Sequence, residues 1–189
     1  KQHIWLPYTQ MQQAPKQLQV KKTRGSKIFL QDGTVLIDGI ASWWSVAHGY
    51  NHPHICKKIR KQLSLFPHIM MAGFKSQETY RLAERLSKIT PKNLNKVFFS
   101  DSGSTAIEVA MKMAIQFYIN KKQPAKTKFI SFTNAYNGDT TGSMSLADLS
   151  SGMHQKFKRS LLKNYCIKLP KNENQLNEFE SIIIKLKDQ

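Results

Sequence analysis

The chain has 189 residues, enough for one domain with a substantial core, or for one domain and a small appendage. It carries 29 basic and 12 acidic side chains, a formal charge of +17, but the lysines are scattered singly or in pairs. Without a dense basic tract, or aromatics interleaved with basic residues, nucleic-acid binding is not expected as the main role. No apolar run is long enough to cross a bilayer.

Residues 1–8 lack the continuous apolar stretch of a signal peptide and do not open on Met, so the start is expected to be trimmed. Cys56 and Cys166 form neither a metal-ligand spacing nor a redox pair. Both are expected as small core residues in a reducing cytoplasm.

In chain order, residues 1–24 read as irregular, with Pro7, Pro15 and many glutamines. Residues 26–31 and 34–38 alternate as strands, and Asp32-Gly33 between them predicts a two-residue hairpin. Residues 39–53 are rich in Gly, Trp and His and read as a loop. Trp43 and Trp44 are adjacent, and neighbours in a strand face opposite sides, so a loop leaves one of them free to line a pocket with Tyr8. His48 and His52 are four residues apart, but Pro53 opposes a helix through them and His54, so no metal is expected. Pro53 opens a helix to about Phe66, and Ser76 caps a second that ends before Pro91.

From there strands and helices alternate, which argues for an α/β sheet. Residues 97–100 and 128–133 read as strands, 104–120 as a helix, 165–169 as a short strand and 174–187 as a helix. The segment Asp101-Ser102-Gly103-Ser104 joins the first of these strands to the helix. Such a turn suits an anion, because the first N–H groups of a helix have no partner inside it and the helix dipole favours negative charge. An ordinary cap by Ser102 or Ser104 accounts equally well for the turn taken alone. Ala106, Val109, Ala110, Met113 and Phe117 give the helix one apolar face, and Glu108 in its early turns suits the dipole. After the next strand comes Ala135-Tyr136-Asn137-Gly138-Asp139-Thr140. Functional loops gather at the carboxyl ends of parallel strands, so Tyr136 is expected on the same sheet edge as Ser102–Ser104. A flat aromatic beside an anion cradle suits a phosphorylated ring.

Taken together, these motifs resemble the class III, fold-type I aminotransferases that use pyridoxal 5'-phosphate. The resemblance rests on His3–Thr9, on Asp38-Gly39 with Ser42-Trp43-Trp44 and His48–Pro53, on Asp101–Ser104 with Glu108–Ala114, and on Tyr136–Asp139. It implies an α/β fold: the N-terminal part of a fold-type I transferase, an incomplete large domain with an N-terminal β-hairpin segment. Residues 1–50 would belong to the small domain and the substrate-pocket loop. Residues 51–189 would begin the cofactor-binding large domain and stop before the Schiff-base lysine. Ser102, Gly103 and Ser104 would hold the cofactor phosphate, Tyr136 would stack on its ring and help bind substrate, and Tyr8 and Trp43 would line the substrate pocket. The paired tryptophans and the Trp-Leu-Pro-Tyr stretch imply a branch of biotin synthesis acting on two small molecules, S-adenosylmethionine and 8-amino-7-oxononanoate, as a cytoplasmic homodimer or with a complementing C-terminal chain.

Two departures stand out. Asn137 occupies a position where the family usually has His; Asn hydrogen-bonds but does not titrate near neutral pH. No lysine sits in a pattern that fits the covalent role, and Lys112 lies inside a helix, so no catalytic residue is assigned and the chain alone is expected to be inactive. Two other readings remain: a fragment of another class III omega-aminotransferase, and a non-catalytic basic binding remnant.

Overall fold

The computed structural model describes residues 3–150 and 152–187. The chain divides into two compact units, residues 1–81 and 82–189.

The first unit is built on a three-stranded antiparallel sheet in the order β1 (Val20–Arg24), β2 (Lys27–Leu30), β3 (Val35–Ile37). Residues 20–24 were expected to be irregular. They form a strand because β2 offers a ladder, with Lys22 opposite Phe29 and Arg24 opposite Lys27, so pairing overrides a polar local sequence. The hairpin between β2 and β3 forms as expected, but its loop has three residues rather than two. Leu30 N–H donates to the Thr34 carbonyl at 2.9 Å, and Gly33 N–H donates to the Leu30 carbonyl at 3.3 Å. Gly33 has φ +91°, the left-handed position that closes a three-residue hairpin loop.

The stretch after β3 is not open loop. Asp38 accepts from the Tyr50 hydroxyl at 2.6 Å, and Gly25 and Tyr50 exchange backbone hydrogen bonds of 3.1 and 2.8 Å. Asn51 Nδ2 donates to the Thr23 carbonyl at 2.6 Å. Between these ties lies one short turn, α1 (Ala41–Trp44). Its four residues have φ between +47° and +66°, the left-handed region that costs L-residues roughly 1–2 kcal/mol each. Then α2 (Pro53–Leu63) starts on Pro53, whose fixed φ and missing N–H suit a first helical position. Its successor is α3 (Gln77–Ile89).

In the second unit, α4 (Gly103–Asn120) is the long helix, β4 (Ile130–Phe132) pairs in parallel with β5 (Tyr165–Ile167), and α6 (Glu173–Leu186) follows. Residues 97–100 do not form the expected strand. Among the described residues the only ladder in this unit joins β4 to β5, and an extended segment without a ladder partner is not a strand. Phe98 in that segment is 68% exposed. The connection from β4 to β5 carries the short helix α5 (Thr141–Ser145) and a 3-10 segment (Met153–Ser160) that has no counterpart in the sequence reading. Phe132 on β4 stacks against Phe179 of α6, ring centroids 6.1 Å apart. Buried apolar residues of this unit include Met111, Ala147 and Leu161. The expectation that both thiols lie in a core fails: Cys56 is half-buried, and Cys166 is exposed on β5, where it borders an open hollow.

Asn172 caps α6, its side chain accepting from Gln175 N–H at 3.0 Å. Asn172→Ala is expected to lower stability by about 1 kcal/mol, read as a shifted urea midpoint at unchanged slope.

Candidate functional site

The site starts where α4 starts. Ser102 is its N-cap: the hydroxyl accepts from Thr105 N–H at 3.2 Å, and Thr105 Oγ1 accepts from Ser102 N–H at 3.1 Å. The Ser102 carbonyl takes Ala106 N–H at 3.0 Å. Asp101 accepts from the Thr105 hydroxyl at 2.7 Å, a bond that holds its carboxyl below the usual aspartate range. Capping therefore accounts for the N–H groups of Thr105 and Ala106. Those of Gly103 and Ser104, the first two of the helix, have no partner within it and point out of its N-terminus.

A second segment is held against this terminus. Ser104 Oγ accepts from Asp139 N–H at 3.1 Å, which leaves the hydroxyl hydrogen of Ser104 to donate elsewhere. Gly138 is buried there, with φ +116°. A Cβ on Gly138 would stand 2.1 Å from Ser104 Oγ and 2.9 Å from its Cα, so only glycine fits the approach. One helical turn on, Glu108 accepts from Gly142 N–H at 2.7 Å. The Thr140 hydroxyl is the main cause of a lowered Glu108 carboxyl, which burial opposes and the Gly142 amide reinforces. Asn137 Nδ2 donates to the Leu146 carbonyl at 2.8 Å, so the residue at the departing position has a backbone partner.

Tyr136 lies on the segment between β4 and these anchors; the shared sheet edge expected for it and Ser102–Ser104 does not form, because residues 97–100 make no strand. Its hydroxyl donates to Asp139 Oδ2 at 2.9 Å, and its ring stacks on His154 with centroids 5.7 Å apart and planes 21° from parallel. Even so, Tyr136 is 61% exposed, so ring surface is open to a flat ligand. The sequence reading missed Asp139 and His154 as site residues. Asp139 was visible inside the quoted motif; His154 had no signal beyond being a histidine in a polar stretch. Asp148 closes the loop from below, accepting from the Ser150 hydroxyl at 2.6 Å and from Asn134 N–H at 3.0 Å. These bonds, the one from Ser150 first, hold its carboxyl at about 2.

In the first unit, Tyr8 meets Trp43 edge-to-face at 5.9 Å, with planes 82° apart. Both have left-handed backbone, φ +50° and +54°. Trp44 takes no part in that contact and is 84% exposed, so the pair of tryptophans is split between two directions. The structure thus brings Ser102, Gly103, Ser104 and Tyr136 onto one junction of the second unit, and Tyr8 and Trp43 onto one aromatic pair of the first. A hollow of about 880 Å³ elsewhere in the second unit, against Ser131, Ala147, Leu161 and Asn164, includes none of these residues.

The family described as aminotransferase class-III matches residues 8–189. An adenosylmethionine-8-amino-7-oxononanoate aminotransferase of Synechococcus elongatus is 45% identical over 148 residues, which is 78% of this chain and 35% of the relative. The enzyme of that name from Buchnera aphidicola subsp. Schizaphis graminum is 38% identical over 190 residues, 97% of this chain and 44% of the relative. Among solved structures, the Methanocaldococcus jannaschii enzyme of the same name superposes with TM-score 0.87 at 36% identity, covering 98% of this chain and 43% of that one. An amine transaminase from an uncultivated Pseudomonas species, solved in a PLP-bound form, gives 0.82 at 27% identity, covering 98% of this chain and 46% of that one. The chain therefore spans less than half the length of these proteins.

Gly138→Ala is expected to cost about 1–3 kcal/mol, because the added methyl meets Ser104 backbone as well as side chain; thermal unfolding measures it. An Asp148 carboxyl held low stabilises the loop above the ordinary aspartate range, and that contribution is lost as pH falls through about 2. Carboxyl NMR titration is expected to give that midpoint, and Ser150→Ala to raise it.

Proposed function

The chain belongs to the class-III aminotransferase family, and from that premise we propose that it is the N-terminal part of an enzyme transferring an amino group from S-adenosylmethionine to 8-amino-7-oxononanoate, giving 7,8-diaminononanoate. The observation that carries the chemistry is the junction of α4 with the 136–142 segment: two outward N–H groups, one hydroxyl with its hydrogen available, and an open aromatic face on adjoining residues. That set fits pyridoxal 5'-phosphate, which needs donors for a dianionic phosphate and a flat surface for its ring. When bound, the cofactor supplies the electron sink that amino transfer requires.

Each residue of this chain then has a definite task. Gly103 and Ser104 N–H, with Ser104 Oγ–H, hold the phosphate. Ser102 spends its hydroxyl on the cap and so keeps those donors in place. Tyr136 covers one face of the ring and excludes water from it. Tyr8 and Trp43 form a wall for the amino donor and the oxo acid. The rest of the enzyme supplies the lysine that holds the cofactor covalently, since no lysine here sits in a sequence pattern that fits that role. It also covers apolar surface such as Phe98, now exposed. Residues 1–50 belong to the small domain and 51–189 to the cofactor domain, and the whole enzyme works as a cytoplasmic homodimer. The choice of substrates is supported by 36–45% identity to relatives bearing this enzyme's name, against 27% for the amine transaminase.

Co-expression with a matching C-terminal half is expected to yield cofactor absorbance and diaminononanoate formation, neither of which the chain alone gives. A soluble two-part assembly with neither signal overturns the proposal; turnover of common omega-amino acids in place of the biotin-pathway pair moves it to another branch of the family. In the active assembly, Ser104→Ala is expected to weaken cofactor binding roughly tenfold or more, through loss of one hydrogen bond to a charged group, about 1.5–3 kcal/mol, and of the Asp139 N–H bond that holds the loop. Equilibrium titration with the cofactor measures it.

A further inference from the structure

His154 has no part in the roles assigned so far, yet it is the most enclosed titratable side chain of the junction, 5% exposed. It stands early in the 3-10 segment Met153–Ser160, after Gly152 with φ +81°. Its Nε2 lies 2.8 Å from Asp139 Oδ1. A carboxylate has no hydrogen to give, so Nε2 donates and Oδ1 accepts. The other oxygen, Oδ2, accepts from the Tyr136 hydroxyl at 2.9 Å, and the His154 ring in turn lies under the Tyr136 ring. Three side chains therefore form a closed triangle in which each touches the other two.

Two members of the triangle are open to solvent and one is not. Asp139 keeps 46% of its side-chain surface and Tyr136 is 61% exposed as a whole residue, whereas the His154 side chain keeps 6%. A tyrosine that open, on a loop, has rotamer freedom to lose before it can serve as a fixed platform. The buried ring of His154 removes that freedom in two ways, by occupying one face of the phenol and by fixing the carboxylate that holds its hydroxyl. Asp139 is also bound through its own N–H to Ser104, so the same residue ties the platform to the start of α4.

We infer that His154 is a positioning residue that sets the ring of Tyr136, through Asp139 and by direct stacking, in register with the anion-binding end of α4. The inference rests on the reading of Tyr136 as the surface that meets the cofactor ring. A histidine that merely fills the core would change stability and nothing else when replaced.

The test uses the assembly of this chain with its C-terminal part, loaded with pyridoxal 5'-phosphate. His154→Phe keeps a flat ring and removes the Nε2 donor; Tyr136→Phe removes the hydroxyl at the other end of the relay. Each is expected to weaken the cofactor dissociation constant roughly five- to tenfold and to shrink the visible circular dichroism of the bound cofactor, and the double variant to be no worse than the weaker single. Should His154→Phe not fold, His154→Leu, which also lacks the donor, takes its place in the cycle under the same requirement. A lowered melting temperature with cofactor affinity and dichroism unchanged overturns the inference, as do effects that multiply in the double variant. If the unsubstituted assembly binds no cofactor, the reading of the site falls and this inference with it. If it binds and the histidine variants match it, only the inference falls.

Discussion

The close approach of Gly138 to Ser104 is the constraint on which the second unit's site depends. A helix N-terminus alone offers donors but no shape. A loop alone offers an aromatic side chain but no fixed position. With no Cβ at residue 138, the loop backbone comes near enough for Asp139 N–H to reach Ser104 Oγ. That bond orients the serine hydroxyl outward and brings Asp139 to where its carboxylate meets both Tyr136 and His154. Glu108 repeats the stitch one turn along, through Gly142 N–H. Two glycines without side chains and two polar residues on one face of α4 thus align helix and loop.

The first unit reaches its own arrangement by a different route. Here the aromatic pair of Tyr8 and Trp43 stands on left-handed backbone, a conformation that is unfavourable residue by residue. At Trp43 it persists because the chain on either side is pinned, at Asp38 by Tyr50 and at Asn51 by Thr23. Strain concentrated beside a candidate binding residue is the usual place for it, since the surroundings must over-determine a geometry that the local sequence does not prefer.

Much of the junction was legible in the sequence, for identifiable reasons. Ser102-Gly103-Ser104 reads as a helix start because capping chemistry is local: the partners are three residues apart. The hairpin reads correctly because Asp32-Gly33 carries its own turn, although the loop length does not, since register depends on both strands. Tyr136 follows β4 as expected, but the strand before Ser102 that the carboxyl-end rule also needs is not formed, and the two segments meet through Asp139 and Ser104 instead. The irregular reading of 20–24 and the strand reading of 97–100 failed for one shared reason. A strand is a statement about a partner, and the partner of 20–24 is present while that of 97–100 is not among the described residues.

What the sequence by itself determined are the features whose causes lie within a few residues: the caps, the hairpin turn, the apolar face of α4, the start of α2 at Pro53, and a set of motifs specific enough to indicate the family. What only the tertiary structure decided are the contacts between residues far apart in the chain. Ser104 with Asp139, Glu108 with Gly142 and His154 with Tyr136 are separated by 35, 34 and 18 residues, and no periodicity or composition encodes such pairs. They exist because a parallel β4–β5 crossover returns the chain over α4, and because hydrogen bonding and burial select which side chains meet once it is there.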